Sequence, residues 1–239
     1  MKKLVVITGA SSGFGSAIAR RLNALDYPLL LIARRLEPME DLKLSNTICK
    51  AVDVCDAEGF KNAIIEAEAI YGEVETLINN AGIMLLSELD SQDPKEWEAM
   101  INVNLKGVLN GMEIVISKMK KRQSGTIVNM SSLAGQKTYE FHAAYCATKY
   151  AVHGLTEATR WELAPYNVRV IEISPGAAET ELVSHISVPA VQKDYKDWKE
   201  SIGGVISADD VASAVEFAVE LPQSVCIRDL KIAPTKQQN

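Results

Sequence analysis

Tyr145 and Lys149 stand four residues apart in the stretch YCATK, a spacing that puts both on one face of a helix. A phenol with an ammonium one turn away can work as a proton donor with its helper. A free phenol titrates near pH 10, and lowering that by roughly three units takes about 4 kcal/mol of preferential stabilisation of the phenolate. A neighbouring positive charge supplies this where water is partly excluded. The same spacing recurs at Tyr195 and Lys199 in YKDWK. Four residues of separation therefore do not by themselves tell a chemical pair from two residues on a helix surface.

A second group of residues has the makings of an anion site. TGASSGFG, residues 8–15, follows an apolar run and opens an amphipathic one. Backbone N–H groups in such a turn, together with the positive end of a helix, attract phosphate. Gly9, Gly13 and Gly15 allow a tight turn, close approach to a pyrophosphate and close helix–sheet packing. The spacing G-x-x-x-G-x-G also suits a plain tight turn. About 20 residues on, where a dinucleotide site keeps its ribose selector, the chain reads LIARR. Ala33 offers no carboxylate for the ribose hydroxyls of NAD. Arg34 and Arg35 suit the extra phosphate of NADP, Arg34 as the more direct contact; otherwise the two arginines belong to a solvated loop.

The elements that must hold these groups are short apolar runs alternating with longer amphipathic ones. Strands are expected at 4–8, 28–33, 48–53, 76–80, 125–132, 168–174 and 225–233. Helices are expected at 13–25, 36–43, 57–71, 94–122, 143–165 and 207–220, the fourth bent around Asn104 and Gly107. Continuous Val/Ile/Leu-rich strands separated by helices indicate an α/β fold, a Rossmann-type doubly wound parallel sheet in one domain spanning 1–239. Ligands then sit beyond the C-terminal ends of the strands. The stretch 181–206 is longer than an ordinary α/β connection. Carrying Pro189, Gly203 and Gly204, it reads as one or two short helices forming a substrate lid, or else as a surface excursion.

Bulk properties narrow the class. Hydrophobic residues at 47% and charged ones at 23% fit a folded globular chain rather than a disordered one. A formal net charge of -6 argues against nucleic acid as a partner. No apolar run reaches the length of a membrane span, and the run after the two N-terminal lysines is too short for a secretory signal. Cys49, Cys55, Cys146 and Cys226 form no C-x-x-C pair and are expected as reduced thiols in a cytoplasmic protein. His142, His153 and His185 have no ligand spacing, so no metal is expected.

With Thr8-Gly9-x-x-x-Gly13-x-Gly15, NNAG at 79–82, MSS at 130–132 and YCATK in this order, the chain resembles the short-chain dehydrogenase/reductase superfamily over essentially its whole length. NNAGIMLL and the closing IAPTKQ look like a branch of NADP-dependent carbonyl or hydroxy-acid oxidoreductases. The resemblance implies a catalytic Ser, Tyr, Lys and Asn. The family's serine lies thirteen residues before its tyrosine, which selects Ser132 over Ser131 and Tyr145–Lys149 over Tyr195–Lys199.

In the implied reaction a carbonyl and an alcohol interconvert by hydride transfer. Tyr145 is the acid/base, Lys149 tunes it and contacts the nicotinamide ribose, and Ser132 hydrogen-bonds the substrate oxygen. Asn104 would hold a water that relays protons to Lys149, or else bond a helix bend. NADP(H) would be bound by the turn residues Gly9, Ser11, Ser12, Gly13, Phe14 and Gly15, and by Arg34 and Arg35. Asp53 and Val54 would contact the adenine, unless Asp53 caps the next helix. Asn80, Ala81 and Gly82 would lie near the adenine ribose, or else stabilise the fourth strand. Pro175, Gly176, Ala178 and Thr180 of SPGAAET would face the nicotinamide.

Tyr195 and Lys199 are expected on the lid surface, with Tyr195, Trp198 or His185 as possible substrate contacts. The partners implied are a small-molecule carbonyl or alcohol and further copies of the chain, as a homodimer or homotetramer paired through helices 94–122 and 143–165. A nucleotide-sensing protein on the same fold, binding NADP(H) without turnover, is the alternative, although it has no need of Ser132 and Tyr145 together.

Overall fold

A computed structural model describes residues 2–179, 182, 186 and 188–238. Along the chain lie β1 (Val5–Thr8), α1 (Gly13–Ala24), β2 (Leu29–Ala33), α2 (Glu37–Glu40), β3 (Thr47–Ala51), α3 (Ala57–Tyr71) and β4 (Thr76–Asn79). There follow α4 (Pro94–Ile101), α5 (Gly107–Arg122), β5 (Gly125–Met130), α6 (Ala143–Leu163), β6 (Val168–Pro175), α7 (Pro189–Ser201), α8 (Ala208–Glu220) and β7 (Asp229–Ile232). The seven strands form one sheet in the order β3-β2-β1-β4-β5-β6-β7, and every pair is parallel. The order reverses between β1 and β4, where a doubly wound sheet opens its ligand crevice.

The strands are apolar throughout because both faces are covered. Alternate residues serve different layers. Val6, Leu30, Leu77 and Val170 join Phe60, Val115 and Val152 on the side of α3, α5 and α6. Val5, Leu29, Ile78 and Ile171 join Ile18, Leu22, Val211 and Val215 on the side of α1 and α8.

Several helix ends are fixed by their own sequence. Asp56 accepts from the Gly59 amide at 3.0 Å to start α3. Ser207 and Asp210 form a reciprocal capping box at α8, the Asp210 amide donating to Ser207 Oγ at 3.1 Å and the Ser207 amide to Asp210 Oδ2 at 2.8 Å, a pattern that satisfies two otherwise orphaned donors. The buried Arg169 donates to Thr126 Oγ1 at 3.0 Å and to the Leu221 and Val219 carbonyls at 2.9 and 3.0 Å. It thereby satisfies acceptors at the C-terminal end of α8.

The expected strands and helices are present with shifted bounds; α2 spans only Glu37–Glu40 where 36–43 was expected, and β3 ends at Ala51 rather than 53. The bend near Asn104 is a five-residue π-helical turn, Asn102–Lys106, joining α4 to α5. The strand expected to run to Ser132 stops at Met130, and Ser132 instead caps a short 3-10 turn by accepting from the Ala134 amide at 3.1 Å. The last strand begins at Asp229 rather than 225.

Candidate active site

One cavity of about 640 Å³ runs along the C-terminal ends of the strands, from the turn after β1 to the inner face of α7. Its first wall is the glycine turn. Gly9 has φ +66°, and a Cβ there would stand 2.8 Å from Ala81 Cα. At Gly15 a Cβ would meet the Gly9 carbonyl oxygen at 2.3 Å. Only glycine fits these two positions without moving backbone. Thr8 locks the turn to the next strand: its Oγ1 accepts from the Asn80 and Ala81 amides, both at 3.0 Å. Asn80 returns the tie by donating from Nδ2 to the Thr8 carbonyl at 2.9 Å. Ser12, at the N-cap of α1, makes no capping bond with its side chain. The first-turn amides of α1 are therefore left to a ligand, and Gly13 and Phe14 line the cavity beside them, as an anion cradle requires.

Beyond this turn Arg34 and Arg35 lie exposed on the cavity rim. Arg35 donates to Ser11 Oγ in the glycine turn at 3.3 Å. Asp53 and Val54 reach the same wall. Asp53 is not the cap of α3, since Asp56 has that role. Its carboxylate accepts from the Cys55 amide at 2.9 Å, a local turn bond of the kind Asp favours. Uncapped helix amides, a cradle that a Cβ would fill and two cations at the far rim fit a phosphorylated dinucleotide.

At the middle of the cavity Tyr145 and Lys149 project from adjacent turns of α6, and both are buried. The Tyr145 hydroxyl faces the Ser132 side chain across the cavity. Burial raises this phenol well above the ordinary tyrosine value, and the nearby Ser132 hydroxyl opposes that only in part. The spacing alone does not bring the ammonium onto the phenol oxygen: Lys149 Nζ donates to the Met130 carbonyl at 2.9 Å and lies 5.8 Å from the Tyr145 ring centroid. Burial lowers Lys149 to about 8, against a smaller upward pull from Glu172. The protein by itself thus keeps Tyr145 protonated and Lys149 charged at neutral pH.

Ser131 points differently, with Oγ 3.5 Å from the Lys149 carbonyl. Asn104 is buried in the π-helical turn. Its Nδ2 donates to the Ile83 carbonyl at 2.9 Å and to Thr148 Oγ1 at 3.1 Å, while Oδ1 accepts from the Ile83 amide at 2.8 Å. The side chain therefore bonds the loop that carries Gly82 to α6.

Pro175, Gly176 and Ala178 follow the end of β6 along the wall. Thr180 and His185 lie outside the described residues. The remaining wall comes from α7. Val191, Asp194, Tyr195 and Trp198 line the cavity, at i, i+3, i+4 and i+7 of one helical stripe. Of the two places expected for Tyr195, lid surface or substrate contact, its side chain takes the cavity side, sharing this stripe with Val191, which is buried. Lys199 stays on the outer side with Lys193 and Lys196.

Among the residues of the site that were not foreseen, beside Met130 and the α7 residues Val191 and Asp194, four more take part. Thr8 stood in the recognised motif without a role. Gln237 accepts from the Ala177 amide at 2.8 Å, and no local pattern marks it. Tyr139 and His142 line the wall near Tyr145 from a loop without a spacing signal.

Three comparisons bear on these features. The family described as short chain dehydrogenase matches residues 3–189. A protein of Staphylococcus saprophyticus named as an uncharacterized oxidoreductase is 40% identical over 98% of this chain and 97% of its own. One of Listeria monocytogenes with the same kind of name is 37% identical over the same shares. Among solved structures, the closed form of serine dehydrogenase complexed with NADP+ superposes with a TM-score of 0.90 at 28% identity, covering 99% of this chain and 96% of that one. A 3-ketoacyl-(acyl-carrier-protein) reductase from Brucella melitensis complexed with NADH gives 0.87 at 27% identity, over 98% of each.

Proposed function

The chain belongs to the short-chain dehydrogenase family, and from that membership we propose an NADP(H)-dependent oxidoreductase that interconverts a carbonyl and an alcohol on a small molecule. The observation that carries the reading is that Ser132, Tyr145 and the buried Lys149 line one cavity, with Ser132 close enough to act on the Tyr145 phenol. A bound nicotinamide nucleotide would supply or accept the hydride. The glycine turn and the uncapped start of α1 would hold its pyrophosphate, and Arg34 and Arg35 the phosphate that separates NADP from NAD.

Ser132 would donate to the substrate oxygen and orient it toward Tyr145. Tyr145, kept protonated by burial, would give its proton to the alkoxide formed on reduction. Lys149, fixed by the Met130 carbonyl, would add positive charge where negative charge develops. Asn104 would act by positioning, holding the loop of Gly82 against α6.

The helix α7 is read as the inner face of a lid over this chemistry. Exposed Ile101, Leu109 and Trp161 on α4, α5 and α6 support assembly into a homodimer or homotetramer through those helices. Among the described residues no helix is long and apolar enough to cross a membrane, and the four cysteines are free thiols; a cytoplasmic setting is part of the proposal. The deciding experiment follows NADPH and NADH oxidation, and NADP and NAD reduction, over a panel of small carbonyls and alcohols. Turnover that favours NADPH and disappears in Tyr145→Phe is expected. Tight NADPH binding without turnover would instead favour a nucleotide sensor.

A further inference from the structure

The substrate end of the cavity has a chemical character that the family's reaction does not specify. The rings of Tyr139, His142, Tyr195 and Trp198, all in its wall, follow one another in a closed circuit. Their centroids are 5.6 Å apart from Tyr139 to His142, 6.1 Å from His142 to Tyr195, 5.5 Å from Tyr195 to Trp198 and 6.5 Å from Trp198 back to Tyr139. His142 also meets Tyr145 edge-on at 6.2 Å, so the circuit begins beside the reacting centre.

None of its members carries charge at neutral pH. Burial holds His142 below the ordinary histidine value and Tyr139 above the ordinary tyrosine value. Tyr195 is pushed up to about 12 by burial and then by Tyr139.

Into this aromatic wall α7 brings one carboxylate. Asp194 occupies a position of the inward stripe Val191–Asp194–Tyr195–Trp198 where helical patterning calls for an apolar residue. The lysines of α7, Lys193, Lys196 and Lys199, line a separate outer groove; Lys193 pairs with Asp197 at 2.6 Å, and Lys199 Nζ, which is not part of the main cavity's lining, stands 5.9 Å from the Tyr195 ring centroid. Among the described residues lining the main cavity, the cations are Lys149, Arg34 and Arg35. The first is bonded to the Met130 carbonyl, and the other two sit at the opposite, glycine-turn end. The α7 end thus combines uncharged aromatic faces with Asp194 and, at its edge, Glu140. Aromatic faces attract cations through their quadrupole, most strongly where water is partly excluded. A carboxylate beside them adds charge complementarity and disfavours an anion.

Resting on the carbonyl–alcohol reading above, we propose that the substrate is a cationic carbonyl compound, a ketone or aldehyde bearing an ammonium group a few bonds from the carbonyl, with Asp194 and the Tyr139–His142–Tyr195–Trp198 wall as its recognition site. In the reaction the carbonyl carbon gains a hydride from NADPH, the oxygen gains a proton from Tyr145, and the ammonium group is unchanged. The products are an amino alcohol and NADP+.

The test uses three methyl ketones of one length, ending in trimethylammonium, in its uncharged tert-butyl isostere, or in carboxylate. NADPH oxidation by the full chain should show kcat/KM about 10-fold higher for the ammonium ketone than for the isostere, as expected for a half-buried cation–aromatic site, between the exposed and desolvated limits. The carboxylate should be the poorest of the three. Asp194→Asn keeps the side chain's shape on an exposed helix position, and its ammonium-to-isostere ratio should fall toward one.

Equal turnover of ammonium ketone and isostere, or a ratio unchanged in Asp194→Asn, would overturn the substrate class while leaving carbonyl reduction intact. Turnover of none of the three, with NADPH bound, would count against the oxidoreductase reading. The charge preference is then read separately, as the thermal shift that the ammonium ketone and its isostere each give to the NADPH complex. Equal shifts would overturn it, and a larger shift with the ammonium, lost in Asp194→Asn, would uphold it.

Discussion

His153 Nδ1 lies 2.8 Å from Glu172 Oε2, a contact between α6 and a β6 carboxylate with no exposed surface. Ser174 donates to the other oxygen, Oε1, at 2.9 Å. Both oxygens of the buried Glu172 side chain are thus engaged, as burial of a polar group requires. Lys149, one turn before His153 on the same helix, feels that charge. Glu172→Gln removes it and leaves desolvation unopposed, so Lys149 should titrate below about 8. NMR titration of the Lys149 side chain in isotopically labelled protein reads this directly. An unmoved Lys149 would mean that the Glu172 charge is screened before it reaches the ammonium.

Lys149 also makes stability depend on pH in a definite direction. Its folded value of about 8 lies below the 10.5 of an ordinary lysine, so between those two pH values the unfolded chain binds more protons than the folded one. Stability should therefore rise with pH across that window, by roughly 3 kcal/mol for this group alone. Tyr145 works in the opposite direction, but only above the ordinary tyrosine value of 10.0, because its folded value is raised. Denaturant midpoints of the wild type and of Lys149→Met at pH 7.5 and 9.5 isolate the effect. The difference between the two proteins should shift in favour of the wild type at the higher pH.

If the proposed chemistry holds, its two hydroxyl groups separate by kinetics. Tyr145→Phe keeps the ring packed but removes the proton donor, and kcat should fall at least about 100-fold. Ser132→Ala removes the hydroxyl proposed to orient the substrate oxygen beside Tyr145, and should lower kcat more than it raises KM. Unchanged kcat in either variant would remove that residue from the mechanism.

The two arginines at the cavity rim predict cofactor choice. Arg34→Ala and Arg35→Ala should each weaken NADPH by about 10-fold or more, as expected for loss of a charged hydrogen bond. NADH should be affected far less. Isothermal titration of both nucleotides against each variant gives the answer. Parallel losses for the two nucleotides would show that the arginines hold a phosphate common to both.

Local features were the ones legible in the sequence. The glycine turn, the strand before it and the start of α1 are set by neighbours in the chain, so residues 4–15 read correctly. Tyr145 and Lys149 were legible because a helix fixes the relation between i and i+4. The sequence left Tyr195 between lid surface and substrate contact, because the direction a helix faces depends on what packs against it. Met130 holds Lys149 through a backbone carbonyl, which every residue type possesses and no side chain advertises. Glu172 and His153 are nineteen residues apart and meet only because β6 lies under α6. The bend near Asn104 was anticipated, but the π-helical turn that makes it depends on Asn104 bonding Ile83 and Thr148.

That π-helical turn makes the length of this segment a matter of angular phase rather than reach. Each residue of an α-helix advances the chain by about 100°, whereas Asn102–Lys106 takes one residue more per hydrogen-bonded ring than its flanks. Deleting a single residue there would let the wide ring close as an ordinary α turn, leaving α4 and α5 nearly in phase and Met100 buried. Asn104 would instead lose the bearing from which it bonds Ile83 and Thr148. Lineages of this fold should therefore tolerate substitutions within Asn102–Lys106 far more readily than a change in its residue count.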